Sequence, residues 1–250
     1  MIRTILVVIL IVIFFILSLP FFLVEWLIGK KWPHARDISM LRVAQAFCRL
    51  LLFVSGTKVI LKGKEKIPAD QPVLYIINHR SYFDILLTLI NCPGPTGYIG
   101  KKEIAIVPVL NLWLTFLHGY FLDREDLRQA LKTILAAIDE VKNGVSIAIF
   151  PEGTRNRNEK DTDLLEFHEG SFKIASKTGC PIIPVAISGS SEILEKHFPF
   201  IRGTRVVVEY GDPVLPGELT GDAKKFTGRY VRDIMLSILT ENEKLLRADS

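Results

Sequence analysis

Hydrophobic and polar positions change their pattern three times along the chain. From Ile5 to Val24 apolar residues run almost unbroken for about twenty positions, the length a helix needs to cross a hydrocarbon core. Only Ser18 and Pro20 interrupt the run, and Glu25 ends it. Trp26, Lys30, Lys31, Trp32 and Arg36 follow, an aromatic and basic flank suited to a headgroup layer. No small-x-small cleavage site comes next, so the segment is expected to stay as an anchor and not to be removed as a signal peptide. Between Met40 and Val54 the apolar residues recur at threes and fours (Leu41, Ala44, Phe47, Leu51, Val54), with Arg42, Gln45 and Arg49 on another face. That spacing predicts an amphipathic helix, lying in the interface or packed on the rest of the protein. Residues 1–56 thus read as a helical membrane anchor, either spanning once or dipping into one leaflet.

From Lys58 onward short apolar runs alternate with longer helical ones. Strands are predicted at 58–62, 73–78, 97–100, 120–122, 145–150, 182–187 and 205–210. Several are solidly apolar, as strands covered on both faces must be. The clearest helix is expected from Asp123 to Asn143, where Leu127, Ala130, Leu131, Ile134, Leu135, Ile138 and Val141 repeat at threes and fours and Gly144 follows as a stop. Another covers Asp222 to Leu246. The alternation predicts an α/β domain over 57–250, with a mostly buried mixed sheet flanked by helices.

Composition narrows the class. Of 250 residues 49% are hydrophobic and 23% charged, which fits a globular body joined to a membrane-seeking segment. A net charge of +4 favours anionic surfaces and is too mild to point to nucleic acid. Cys48, Cys92 and Cys180 are too widely spaced for a metal or redox motif and read as small buried hydrophobes.

Candidate chemistry sits at predicted strand ends, where α/β sheets assemble their sites. The heptapeptide Asn78-His79-Arg80-Ser81-Tyr82-Phe83-Asp84 follows one strand and opens a helix over 85–90. An imidazole takes a proton from a hydroxyl well when a carboxylate fixes its tautomer, which suits His79 and Asp84. The same residues admit a plainer reading, because Ser81 and Asp84 have capping-box spacing. After the strand 145–150 comes Phe150-Pro151-Glu152-Gly153-Thr154-Arg155, in which glycine allows close backbone approach and arginine offers a planar fork to phosphate. The alternative is a turn closed by a surface Glu152–Arg155 ion pair. Lys101, Lys102 and Arg124 add positive charge at two further strand ends, and Pro184 interrupts an apolar strand as a packing element near an edge or a pocket wall.

In order, these pieces resemble the glycerolipid acyltransferases, specifically the 1-acylglycerol-3-phosphate acyltransferases. His79 and Asp84 match the family's His-x4-Asp motif. Lys101, Lys102, Glu103 and Pro108, then Gly119 to Arg124, match the second motif; Phe150 to Arg155 match the third and Pro184 the fourth. One departure is Asn111, where the family carries glycine three positions after the motif-two proline.

The resemblance implies that His79 deprotonates an acceptor hydroxyl and Asp84 orients it. The oxygen would attack the thioester of acyl-CoA or acyl carrier protein directly, without metal, cofactor or acyl-enzyme. Lys101, Arg124 and Arg155 would hold the acceptor's phosphate, Glu152 would orient neighbouring basic groups, and the turn through Gly153 and Thr154 would offer backbone amides. Lysophosphatidic acid and membrane lipids are the expected partners, nucleic acid is not, and the basic flank places the body on the cytoplasmic side of the membrane. Acylation of another acceptor (glycerol-3-phosphate, a different lysophospholipid or a lyso-aminolipid), or an inactive lipid-binding protein, remain the competing readings.

Overall fold

The computed structural model describes residues 1–123 and 125–248. The chain opens with two long helices, α1 (Ile2–Gly29) and α2 (Pro33–Ser55). The body follows as β1 (Lys58–Lys62), β2 (Leu74–Ile77), α3 (Phe83–Leu89), β3 (Thr96–Lys101), α4 (Pro108–Phe116), β4 (Tyr120–Leu122), α5 (Leu127–Lys142), β5 (Ser146–Ile149), α6 (Lys173–Thr178), β6 (Ile182–Ser188), β7 (Arg205–Tyr210), α7 (Gly221–Lys225) and α8 (Thr227–Ala248).

The seven strands form one sheet in the order β1-β7-β6-β2-β5-β3-β4. All neighbours are parallel except β6 and β7, so the sheet is mixed as expected. Alternating side chains divide the core. Tyr75 and Ile77 face a cluster shared with α1 to α4, whereas Leu74 and Ile76 face one shared with α5, α6 and α8. Every residue of β2 is buried, which explains its unbroken apolar sequence.

Each predicted strand is present, and the differences lie in the helices. α5 starts at Leu127, not Asp123, because the Asp126 carboxylate caps it by accepting the Arg128 and Gln129 N–H groups. The expected C-terminal helix is broken at Phe226 into α7 and α8, and the Gly228 N–H turns aside to the Glu169 carboxylate. α6, only six residues long, is too short to reveal a period. Pro184 is not near an edge, since β6 lies between β7 and β2. Its carbonyl still accepts the Gly211 N–H at 2.8 Å, and the β6–β7 ladder begins one residue later, at Val185. Asn111 sits in α4 and donates to the Ala105 carbonyl, tying the helix to the turn before it.

By length and composition α1 and α2 are both apolar enough to cross a membrane. Yet α1 is fastened to the body along its length. Thr4 Oγ1 accepts the Ile201 N–H at 2.9 Å, Ser18 Oγ accepts the Trp113 Nε1–H at 2.8 Å, and Ser39 Oγ donates to Glu25 at 2.6 Å. Phe14, Phe21 and Phe22 enclose the Trp113 indole, a desolvated aromatic box between α1 and α4. α2 packs on α3, where Gln45 Nε2 donates to the Leu89 and Cys92 carbonyls and satisfies the end of that helix.

α2 also meets the far side of the body through His118, which adopts a left-handed backbone (φ 57°). Its Nδ1 is 3.0 Å from Glu140 of α5, and its Nε2 is 3.3 Å from Asp37 of α2. Burial opposes the imidazolium, but the two carboxylates outweigh it and raise the pKa above the ordinary 6.5. A histidine raised by folding stabilises fully below its unfolded value, and that contribution is lost as pH rises through the folded pKa. Stability in detergent should therefore decline as pH climbs above 6.5. His118→Gln should flatten this slope in urea unfolding at a series of pH values; an unchanged slope would refute the clamp.

Candidate active site

The site is built where β2 and β5, adjacent parallel strands, both end. After β2, Asn78 is fully buried and extends the pairing with its side chain. Its Nδ2 donates to the Ile187 carbonyl and its Oδ1 accepts the Ile187 N–H, fixing the chain against β6. His79 follows with its imidazole stacked on Phe150, ring centroids 4.1 Å apart. The chain then turns into α3, bringing Asp84 back to the histidine.

Asp84 is completely buried, and its Oδ2 lies 2.9 Å from His79 Nδ1. The same oxygen accepts the backbone N–H groups of Arg80 and Ser81, each at 2.7 Å. Ser81 Oγ in turn accepts the Phe83 N–H. Cap and dyad are therefore one arrangement, and the two readings of the heptapeptide do not compete. With Nδ1 held by the carboxylate, the Nε2 atom makes no hydrogen bond among the described residues, and the histidine side chain is 17% exposed. A neutral imidazole so oriented presents its lone pair outward as a base.

Glu152 is the second buried carboxylate, at 4% exposure. It forms no ion pair with Arg155. Its Oε1 accepts the His79 backbone N–H at 2.9 Å, and its Oε2 accepts the Leu165 N–H and the Asn156 amide. It thus binds the turn after β5 to the turn after β2. Burial pushes its carboxyl pKa up, against the pull of these donors. Gly153 takes the left-handed conformation (φ 75°) and closes the turn by donating to the Phe150 carbonyl. Its amide is therefore engaged, whereas Thr154 is exposed and its amide makes no hydrogen bond among the described residues.

Arg155 lies over the Tyr82 ring, its guanidinium carbon 3.7 Å from the centroid. It donates to Tyr82 Oη at 2.9 Å and reaches Glu195 at 3.5 Å. A cavity of about 400 Å³ opens here, lined by Arg80, Tyr82, Arg155, Arg157, Glu195 and Lys196 among others. The buried Arg80 side chain contacts Asp161 at 3.1 Å and donates to the Asn158 and Lys160 carbonyls, holding loop 156–163 beside the dyad. A larger cavity, about 650 Å³, lies between the end of β7 and α8, away from this chemistry.

The structure brings together His79, Asp84, Glu152, Gly153 and Arg155. Lys101 is exposed at the end of β3, two strands from β2, and makes no hydrogen bond or ion pair with any of them among the described residues. Its neighbour Lys102 pairs with Asp123 at 2.8 Å. Arg124 lies outside the described residues. Sequence reasoning missed Arg80, Tyr82 and Glu195. The first two lie inside the heptapeptide, but Glu195 comes from a segment with no recognisable signal.

Three comparisons bear on this arrangement. A family model described as Acyltransferase matches residues 58–188. A 1-acyl-sn-glycerol-3-phosphate acyltransferase of Saccharomyces cerevisiae is 33% identical over 86% of this chain and 69% of that protein. One of Borreliella burgdorferi is 32% identical over 66% of this chain, and the match spans 64% of its own length. The crystal structure of the 1-acyl-sn-glycerophosphate (LPA) acyltransferase PlsC from Thermotoga maritima superposes with a TM-score of 0.83, at 26% identity, covering 97% of this chain and 95% of that one.

If Glu152 acts as described, Glu152→Gln forces an amide N–H toward one of three buried donors. It should cost about 1–3 kcal/mol in denaturant unfolding, and amide exchange at His79 should accelerate. Unaltered exchange at that amide would remove Glu152 from the support of the dyad.

Proposed function

Because the chain belongs to the acyltransferase family, we propose that it moves a fatty acyl group from a thioester donor to the free hydroxyl of 1-acyl-sn-glycerol 3-phosphate, giving phosphatidic acid. The observation that carries the chemistry is the buried Asp84 held 2.9 Å from His79 Nδ1, which leaves Nε2 as the acceptor of a proton. The acceptor lipid is the one named for both curated relatives and for the solved structure.

His79 Nε2 removes the hydroxyl proton as the oxygen attacks the thioester carbonyl of acyl-CoA or acyl carrier protein. The tetrahedral adduct collapses by breaking the C–S bond, and the imidazolium returns the proton to the leaving thiolate. Asp84 stabilises the imidazolium while it exists. No acyl-enzyme forms, and no metal or cofactor takes part. Arg155, with Arg157 and Lys196 around the same cavity, receives the acceptor's phosphate, and the fork of Arg155 is held ready by Tyr82.

The anchor suits a lipid acceptor. Ile5, Ile9, Val12, Ile16, Leu19 and Leu23 recur at threes and fours along α1, and all are exposed. Since α1 is fixed to the body at several points, a crossing orientation would drag polar loops into hydrocarbon, where unsatisfied backbone groups are costly. In this reading α1 lies in one leaflet, the basic flank of Lys30, Lys31 and Arg36 favours the cytoplasmic side for the body, and the site meets the bilayer surface.

Purified protein given a labelled acyl thioester and a panel of lysolipids and glycerol-3-phosphate tests the proposal. Lysophosphatidic acid should be the preferred acceptor. His79→Ala should abolish transfer, and Asp84→Asn should lower kcat by about 10³–10⁴-fold, as the wrong tautomer does in other histidine–carboxylate pairs. Arg155→Ala should chiefly raise KM for the phosphorylated acceptor. Full activity in His79→Ala would sink the mechanism, and preference for an acceptor without phosphate would sink the substrate assignment.

A further inference from the structure

Residues 197–202, the sequence His-Phe-Pro-Phe-Ile-Arg, present two phenyl rings to solvent beside the site. Phe198 is 76% exposed and Phe200 46%. The turn that carries them is anchored at its base. Ile193 and Ile201 are buried in the core, the Phe200 N–H donates to the His197 carbonyl, and the Arg202 N–H donates to the Ile193 carbonyl. Rigid backbone holding bulky aromatic groups out in water is a feature that calls for a covering phase.

Position supplies that phase. The Ile201 N–H is bonded to Thr4 Oγ1, which seats the turn against the first turns of α1, where Ile2, Ile5, Leu6 and Ile9 are also exposed. The turn that carries the phenyl rings therefore adjoins the apolar N-terminal end of α1. Charge surrounds them in the manner of an interfacial element. Arg202 and Arg3 are exposed, the Arg3 guanidinium lies over Gly203, and Lys196 stands on the other flank beside Glu192. Phe198 also lines the cavity that holds Arg155 and Tyr82.

We propose that residues 197–202 form a second membrane-inserting element. Phe198 and Phe200 enter the headgroup and upper acyl region of a phospholipid bilayer, while Arg3 and Arg202 meet anionic headgroups. Inserted this way, the turn sets the mouth of the Arg155 cavity at headgroup depth. A lysolipid then reaches the cavity by lateral movement, without leaving the bilayer. This deepens the reading of α1 as lipid-facing and rests on it.

The test uses the full chain bound to vesicles of phosphatidylcholine and phosphatidylglycerol, with one nitroxide per variant, at Phe198→Cys or Ile9→Cys. The native cysteines Cys48, Cys92 and Cys180 are all buried, so the label reports the chosen position. Both labels should be oxygen-accessible and shielded from a water-soluble nickel complex. Independently, Phe200→Ser should lower the vesicle partition coefficient by about fivefold, as expected for withdrawing part of a phenyl ring from lipid. A label in lipid at position 9 but in water at 198 overturns the wedge alone. Both labels in water overturn the lipid-facing reading of α1 and the wedge with it. A partition coefficient unchanged by Phe200→Ser also overturns the wedge.

Discussion

One oxygen atom, Asp84 Oδ2, gathers three N–H donors: the His79 ring and the backbones of Arg80 and Ser81. Buried carboxylates are tolerable only when donors surround them, so this oxygen and its partners must form together or not at all. The same contacts cap the entry to α3. The imidazole is thus as fixed as the helix beside it. From the other strand, Glu152 holds the His79 backbone. An imidazole pinned from both β2 and β5 inherits the rigidity of the sheet centre, where β2 is bonded on both sides. The rotational entropy of the imidazole is lost during folding, so in the proposed reaction it would not have to be lost again.

The other constraint comes from the surface. One sheet face is covered by soluble-type helices, while the other is covered by α2, α3 and α4 with α1 laid over them. The aromatic box around Trp113 makes α1 part of the core on its inner side, although its outer side is more apolar than water will bear. On the proposed reading such a helix is a shared wall between protein interior and lipid. The exposed phenyl rings at 198 and 200 would extend that wall toward the cavity of Arg155, which Phe198 lines.

Features written in contiguous residues were legible in the sequence. Strands covered on both faces announce themselves as apolar runs, so all seven were readable, and the five-residue spacing of His79 and Asp84 carried the dyad. Features that depend on strand register were not. Glu152 looked like a partner for nearby basic groups, but its bonds reach the His79 backbone, 73 residues earlier. Glu195 meets Arg155 across 40 residues without any local pattern to mark it. The start of α5 was misplaced because the apolar period says nothing of where a capping aspartate intervenes, and Asp123 and Asp126 are equally able to cap. α6 is decided by tertiary packing, with too few residues to show a period.

The fastening of α1 has a consequence for how the chain is made. Ser18 waits for Trp113, 95 residues later, and Thr4 waits for Ile201, 197 residues later. At synthesis rates of about 5–20 residues per second, the first helix leaves the ribosome roughly ten to forty seconds before its last docking surface exists. Over that interval both of its faces are bare, the inner as well as the outer. On the proposed reading of α1 as lipid-facing, a bilayer would shelter both faces over that interval. On that reading, delivery to a membrane would precede the completion of the fold.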